Sequence, residues 1–228
     1  MFKASKITEQ RLYELEVPEI TETYKPADYK ELLHIVKSYN FGSPVTVYSN
    51  NGGLASNIIQ EFDMGDNELQ GVIQITNSYD KTRAFRLRVG AKVKVCGNGM
   101  FSSLGDTAFY GKHYNTASFN PYQELRERIK KLSMFSKDFK EKKEKLKAIP
   151  FTKEEMKLDL LACVLNNTMR LPVVEYKRVF KQIENPLYNY HSDETKWEYY
   201  NHFTYVLKSQ NIFIVDTSQD KLIKHFEL

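Results

Sequence analysis

Four basic side chains recur at alternate positions between Phe85 and Val95. Successive side chains of a β-strand point to opposite faces, so residues two apart share a face. One face of this predicted strand is apolar and consists of Phe85, Leu87, Val89, Ala91, Val93 and Val95. The other face carries Gly90 and the four cations, which are Arg86, Arg88, Lys92 and Lys94. The pattern therefore predicts a hairpin strand with one buried face and one cationic face.

Two explanations of the cationic face remain open. A half-exposed antiparallel strand ordinarily turns polar side chains toward solvent. The absence of acidic residues favours a functional explanation, because like charges on one face repel each other. A polyanion lying across the strand would remove that repulsion, and we predict that the four cations bind the phosphates of a nucleic acid.

Aromatic side chains follow the cationic strand and alternate with basic ones. Rings that stack on bases, together with cations that neutralise phosphates, are typical of proteins that bind single strands, at about 1–3 kcal/mol per stacked base. Tyr79 lies in the loop before the strand, and the candidates after it are Tyr110, Lys112, His113 and Tyr114. We predict that these four are exposed and contact bases or phosphates. The alternative is that the rings belong to the hydrophobic core.

The net charge of +4 hides an uneven distribution along the 228 residues. Residues 69–120 hold 7 Lys and Arg against 2 Asp and Glu, and residues 121–150 hold 10 against 5. Residues 1–68 hold 6 against 11, and residues 151–228 hold 10 against 11. Clustered positive charge attracts a polyanion more strongly than the same charge spread evenly. The distribution therefore places the predicted nucleic-acid partner at the middle of the chain.

Several kinds of chemistry lack their usual motifs. No Gly-x-x-x-x-Gly-Lys-Ser/Thr loop, Gly-x-Gly-x-x-Gly turn or His-Glu-x-x-His helix occurs. We therefore predict no catalytic residues, no metal and no cofactor. One enzymatic alternative is a metal-dependent nuclease that uses Asp63, Asp66 and Glu68, although a polar turn is the preferred explanation of these residues. Cys163 is expected to be a buried small apolar residue.

The remaining signals predict an α+β fold in one continuous domain, mainly β over residues 1–120 and mainly helical over 121–228. An antiparallel β-sheet in the N-terminal half would pack with the helical C-terminal half. Short strands are expected around residues 45–48, 69–76 and 212–215, and a further short element around residues 58–62. Asp28, Asn120, Thr152 and Pro172 are expected to begin helices, and a further helix starts at Ser192 or Asp193. The helix after Asn120 is predicted to run unbroken to about Lys147.

Two segments resemble the uncharacterised phage/plasmid-like protein family, over roughly residues 40–208. The first includes Asn77-Ser78-Tyr79-Asp80, Arg83-Ala84 and Val95-Cys96-Gly97-Asn98, and the second is Trp197-x-x-Tyr200-Asn201-x-x-Thr204-Tyr205. Lys81 stands where the family usually has Gly, and Gly99 where it usually has Thr. The resemblance implies a phage or mobile-element origin, no established catalytic activity, and single-strand DNA binding or annealing in recombination. It also implies structural roles for Asn201 and Thr204.

Three functions follow as hypotheses. The first is a non-enzymatic DNA-binding protein that favours single strands and forms a homo-oligomer. The second is a protein-interaction module that blocks or redirects a host protein, and the third is the nuclease. With only two cysteines, no apolar run of roughly 18 residues and no apolar signal core, we expect a cytoplasmic protein without a membrane partner.

Overall fold

A computed structural model describes residues 5–94, 101–111, 113, 120–187, 194–207, 221–222 and 224–227. Within strand residues 93, 101–108 and 110 it describes the backbone alone. The six strands are β1 (Ser5–Ile7), β2 (Thr46–Asn50), β3 (Ala55–Asp63), β4 (Leu69–Ser78), β5 (Phe85–Val93) and β6 (Phe101–Gly111). The helices are α1 (Glu9–Tyr13), α2 (Tyr29–Ser38), α3 (Pro121–Lys130), α4 (Leu132–Lys147), α5 (Lys153–Leu165), α6 (Val173–Glu184) and α7 (Lys196–Leu207). This is the predicted α+β fold.

The strands form one sheet in which each strand neighbours the next in the sequence, from β1 to β6. The β1–β2, β2–β3 and β3–β4 pairs are antiparallel. The six residues between β4 and β5 are too few for a parallel crossover, so this pair is a hairpin as well. The sheet is therefore a meander in the N-terminal half of the chain.

One face of the sheet builds the hydrophobic core with α2. Ile58 of β3 lies opposite Ile75 of β4, and both are fully buried. The hydroxyl of Tyr29, the first residue of α2, donates to the carbonyl of Asn77 at 2.8 Å. The Asn77 side-chain amide in turn donates to the carbonyl of Ala27 at 2.8 Å. These bonds fix the start of α2 against the end of β4, and the helix buries Leu32, Leu33, Ile35 and Val36.

Most of the predicted helix boundaries are confirmed, because they depend on local capping. Asp28 accepts a bond from the Lys30 amide, and Thr152 forms a complete capping box with Glu155. Asn120 caps α3, with Pro121 as its first residue. The prediction of one unbroken helix to Lys147 is wrong, since the chain turns at Lys131, between α3 and α4. The strand expected at 212–215 and the start at 192–193 lie outside the described residues.

The chain forms two compact units. The first contains residues 1–65, 70–90 and 104–135, and the second contains 66–69, 91–103 and 136–228. Helix α3, which the sequence placed in the mainly helical region, thus belongs to the same unit as most of the sheet. Among the described residues, no helix has both the length and the apolar character required to cross a membrane.

Candidate functional site

The face of the sheet opposite Ile58 and Ile75 is polar. Strand pairing aligns Lys6 of β1 with Tyr48 of β2, Tyr48 with Asn57 of β3, and Asn57 with Thr76 of β4. Lys6 is exposed, Tyr48 is half-buried, and Asn57 and Thr76 are buried. Side chains that are directly paired across strands share a face and are close neighbours. We call this line of side chains, with its continuation on β5, the polar row.

A main-chain bond fixes which residue of β5 continues the row. The Lys94 amide donates to the Glu68 carbonyl at 2.6 Å, which sets the register of β5 against β4. In an antiparallel pair each step forward on one strand is a step back on the other, and we infer from this one bond that Thr76 lies opposite Arg86. The polar row therefore runs Lys6–Tyr48–Asn57–Thr76–Arg86, with a cation at each end. By the same register, Gln74 lies opposite Arg88.

The centre of this face holds a small network of buried amides. Thr76 Oγ1 donates to Asn57 Oδ1 at 2.5 Å, and Gln74 Nε2 approaches the same oxygen at 3.3 Å. All three residues are at least nine-tenths buried. Among the residues that the structure describes, none hydrogen-bonds Asn57 Nδ2 or Gln74 Oε1, and both atoms are buried. A buried polar atom left unpaired costs about 1–3 kcal/mol, and a polar group that reached this donor and this acceptor would recover that cost.

The four predicted phosphate-binding cations differ in their exposure to solvent. Arg86 is half-buried, whereas Arg88 is only 2% exposed. The prediction that Arg88 faces solvent is wrong, because β5 is an inner strand of the sheet and is buried on both faces along most of its length. Lys92 is half-buried, and Lys94 is exposed with Nζ donating to the Asp66 carbonyl at 2.7 Å. The alternation of apolar and basic residues groups the four cations on one face of β5, but it does not show which of them are buried in the folded protein.

Of the residues predicted to contact bases, the structure describes the side chain of His113 alone. His113 is 7% exposed, so its predicted exposure is wrong. Its ring lies 5.6 Å from that of Tyr24 and 6.4 Å from that of Phe85, and burial lowers its pKa, which keeps the ring neutral near pH 7. Tyr79 is also buried, and its hydroxyl accepts a bond from the Tyr29 amide at 3.0 Å. Lys112, Tyr114 and the side chain of Tyr110 lie outside the described residues.

Basic residues of α4 meet acidic residues from the turn between β3 and β4. Lys143 Nζ lies 2.6 Å from Asp66 Oδ2, and Lys147 bonds Glu68. The Lys143 side chain is only 6% exposed, so it does not belong to a solvated cationic face. Ion pairing with two lysines satisfies two of the three carboxylates of the predicted nuclease site, those of Asp66 and Glu68. Among the described residues, Asp63, Asp66 and Glu68 form no group of three converging ligand atoms.

A second cluster lies in the second unit, and sequence reasoning missed it. Asp159 and Cys163 of α5 meet His225 near the C-terminus, and their ligand atoms all lie within 4.8 Å of one another. The Tyr199 hydroxyl donates to Asp159 Oδ2 at 3.0 Å. Asp159 and Cys163 are four residues apart on one helix, which places them on one face, and this spacing was visible in the sequence. His225 comes from 66 residues away, and no local pattern connects it to Asp159.

Comparisons with known proteins identify no relative of this chain. No protein-family model, no curated protein and no solved structure matches the chain. The polar row, the buried amides beside it and the Asp159 cluster are therefore the features from which function has to be inferred. Fold alone does not determine function, since unrelated activities share the same architecture.

Proposed function

We propose that this chain is a non-enzymatic nucleic-acid-binding protein that favours single strands, with single-stranded DNA as the first candidate. The observation that carries the proposal is the polar row, which crosses five strands and has a cation at each end. The five positions span four inter-strand spacings of about 4.8 Å, or roughly 19 Å. Lys6 and Arg86 would neutralise phosphates at the two ends of a strand that crosses the sheet.

The side chains between the two cations suit bases better than phosphates. Tyr48 is half-buried and offers a ring for stacking, which is indifferent to base identity. The donor of Asn57 and the acceptor of Gln74 are buried, and they match the mixed donor and acceptor edges of a base that displaced the groups covering them. A duplex hides those edges from a sheet surface, whereas an unpaired strand presents them. This difference is the reason for favouring single strands.

The family resemblance supports the same proposal from a separate direction. It implies a phage or mobile-element gene, for which strand annealing in recombination, within the cytoplasm of a host cell, is a suitable role. One departure from the family pattern, Lys81, lies in the turn between β4 and β5. Lys81 has φ of 61°, a left-handed conformation that glycine adopts without strain. Glycine, the residue the family usually has there, suits the turn.

A salt-titrated binding assay tests the polar row. Wild-type protein is mixed with unstructured DNA and RNA oligonucleotides and with a duplex, and affinity is measured against salt concentration. Replacing Lys6 and Arg86 with Ala removes two predicted phosphate contacts, which should lower the slope of log affinity against log salt by about 1.4 for a single strand. Arg88 is left intact because its replacement would disturb the sheet.

The matched control replaces two exposed helical cations, Lys130 and Lys137, whose side chains are 63% and 77% exposed. It makes the same change in net charge without altering the polar row. We expect the control to keep the wild-type slope within about 0.3. Equal slopes for the two double variants, or no binding by the wild type at low salt, would contradict the proposal.

We also propose a protein-interaction function, because α5 and α6 expose apolar side chains along a shared groove. The groove has a volume of about 700 Å³. Leu158 is 68% exposed, Val173 60% and Phe180 45%, an unusual run of large apolar groups at a surface. Its rim carries both Glu154 and Lys177, and residues of both signs suit a two-fold contact between identical surfaces. The occupant that we propose is a second copy of the chain.

Mass measured by light scattering over a range of protein concentrations tests this second proposal. A dimeric mass that becomes monomeric in Leu158→Glu would support it, with the exposed Lys137→Glu variant as control. A monomeric wild type at all concentrations would contradict self-association. Capture of one host protein at equal stoichiometry, lost in Leu158→Glu, would instead identify the groove as the site of the host-protein interaction.

A further inference from the structure

The Asp159 cluster combines three side chains that are common zinc ligands. Asp159 Oδ2 lies 2.8 Å from His225 Nε2 and 3.7 Å from Cys163 Sγ. Cys163 Sγ lies 3.9 Å from His225 Nε2. All four side chains of the cluster, including that of Tyr199, lie in the second unit. One carboxylate oxygen, one thiol sulfur and one imidazole nitrogen therefore converge on a single small volume.

These separations lie within a few tenths of an ångström of those expected around a small tetrahedral ion. Bond lengths to Zn²⁺ are about 2.3 Å for sulfur, about 2.0–2.1 Å for nitrogen and about 2.0–2.2 Å for oxygen. Tetrahedral angles then place the ligand atoms roughly 3.4–3.6 Å apart. The observed distances of 2.8, 3.7 and 3.9 Å fall on both sides of that interval. Shifts of a few tenths of an ångström in each side chain would produce the required geometry.

The arrangement does not suit a catalytic cysteine. In a nucleophile–His–acid triad the nucleophile and the acid contact opposite ring nitrogens of the histidine. Here Cys163 and Asp159 both approach Nε2 of His225. Burial, with the nearby Asp159 charge, raises the pKa of the Cys163 thiol to about 12, so it is protonated at neutral pH. A bound divalent metal would displace that proton, because a coordinating thiol is deprotonated.

The surroundings also fit a metal site. Asp159 and His225 keep 30% and 21% of their side chains exposed, which leaves a path for an ion and for water as a further ligand. Tyr199 donates to the carboxylate that would bind the ion, as outer-shell groups commonly do. Phe226, next to His225, is buried against Tyr199 and Tyr200. The C-terminal ligand is therefore held in place by packing.

We propose that Asp159, Cys163 and His225 bind one Zn²⁺ ion, which ties the segment 224–227 to α5. The proposal is independent of nucleic-acid binding, because it concerns a different unit and a different set of residues. Cysteine and imidazole ligands select zinc over magnesium or calcium, which prefer oxygen. The bound ion would stabilise the packing of the segment 224–227 against α5.

Metal titration of the full-length reduced protein tests the site, with Zn²⁺ followed by calorimetry and Co²⁺ by absorption. We expect one equivalent of either metal and a near-ultraviolet charge-transfer band from a Co²⁺–thiolate bond. The variant Cys163→Ser should lose the band and bind Zn²⁺ about 100-fold more weakly. The variant Cys96→Ser removes the other cysteine and should keep the stoichiometry and the band.

Two further variants separate ligands from neighbours. Asp159→Asn should weaken Zn²⁺ binding as strongly as Cys163→Ser, whereas Tyr199→Phe should weaken it only about 10-fold. Circular dichroism before titration establishes that each variant is folded. Less than half an equivalent of Zn²⁺ in the wild type overturns the proposal even if a variant fails to fold. Equal behaviour of the Cys163 and Cys96 variants overturns it as well.

Discussion

Replacing Lys143 with Met should destabilise the protein far more than a typical change on a lysine-rich helix. Lys143 Nζ lies 2.6 Å from Asp66 Oδ2, and the two side chains are only 6% and 11% exposed. Burial opposes the charged form of Lys143, but its bond to Asp66 and the charge of Glu68 outweigh burial and raise its pKa. Methionine keeps the approximate length of the side chain while leaving Asp66 without this cation.

The size of the effect follows from what Asp66 retains. Removing one partner of a buried ion pair costs about 3–5 kcal/mol. Asp66 Oδ1 still accepts bonds from the amides of Glu68 and Leu69, at 2.8 and 2.9 Å. These two hydrogen bonds stabilise the ionised Asp66 that remains. We therefore expect the free energy of unfolding to fall by about 3 kcal/mol, at the lower end of the range of about 3–5 kcal/mol.

Urea denaturation, monitored by circular dichroism, measures this loss. With a denaturant slope of about 2 kcal/mol per molar, the midpoint should fall by roughly 1.5 M. The control is Lys137→Met on the same helix, where the side chain is 77% exposed and lies 4.0 Å from Glu141. An exposed pair of this kind contributes about 0–1 kcal/mol, so the control should shift the midpoint by less than about 0.5 M.

A double variant tests the cause. Asp66→Asn combined with Lys143→Met removes both charges and should recover part of the stability lost in Lys143→Met. The reasoning is refuted if Lys143→Met and Lys137→Met shift the midpoint equally. It is also refuted if the double variant is less stable than Lys143→Met, since the uncompensated charge would then not be the source of the loss.

Three further predictions concern other parts of the chain. Gly71→Ala should cost about 1–3 kcal/mol, because a Cβ there would lie 2.3 Å from the Phe62 ring, and Phe62→Leu should recover part of this loss in urea denaturation. Thr152→Ala removes the capping box of α5 and should cost about 1 kcal/mol, with faster amide exchange in its first turn. Burial opposes ionisation of Asp66, but its bonds to Lys143 and the backbone outweigh burial and lower its pKa. Ionised Asp66 therefore stabilises the folded protein above pH about 3.9, the pKa of an aspartate in the unfolded chain, and this stabilisation is lost as the pH falls. Urea midpoints measured between about pH 3 and 6 should fall toward the acidic end, and a midpoint that does not change with pH would contradict the prediction.

The fold was predictable wherever a local signal was sufficient. Asp28, Thr152 and Pro172 begin helices because capping and proline geometry depend on neighbours within a few residues. The turn at Lys131 was not predictable from periodicity. Apolar residues at Ile129 and Leu132 continue the helical spacing across it, although the backbone at Lys131 has left the helical conformation, with ψ of 4°.

The candidate site was only partly predictable, because it depends on strand pairing. Alternation correctly places Arg86 and Arg88 on one face of β5 and Gln74 on one face of β4. Whether such a side chain meets solvent depends on position in the sheet, and Arg88 is buried on an inner strand. The partnership of Asn57 with Thr76 requires the β3–β4 register, which no pattern within either strand contains.

The ion pairs between the β3–β4 turn and α4 have a consequence for folding during synthesis. Asp66 and Lys143 are 77 residues apart, and Glu68 and Lys147 are 79 apart. At roughly 5–20 residues per second, the ribosome adds the two lysines about 4–16 s after the acidic residues. Neighbouring strands of the meander can pair within that interval, since each is next to its partner in the sequence. The turn between β3 and β4 would then be the last part of the N-terminal half to acquire its native partners.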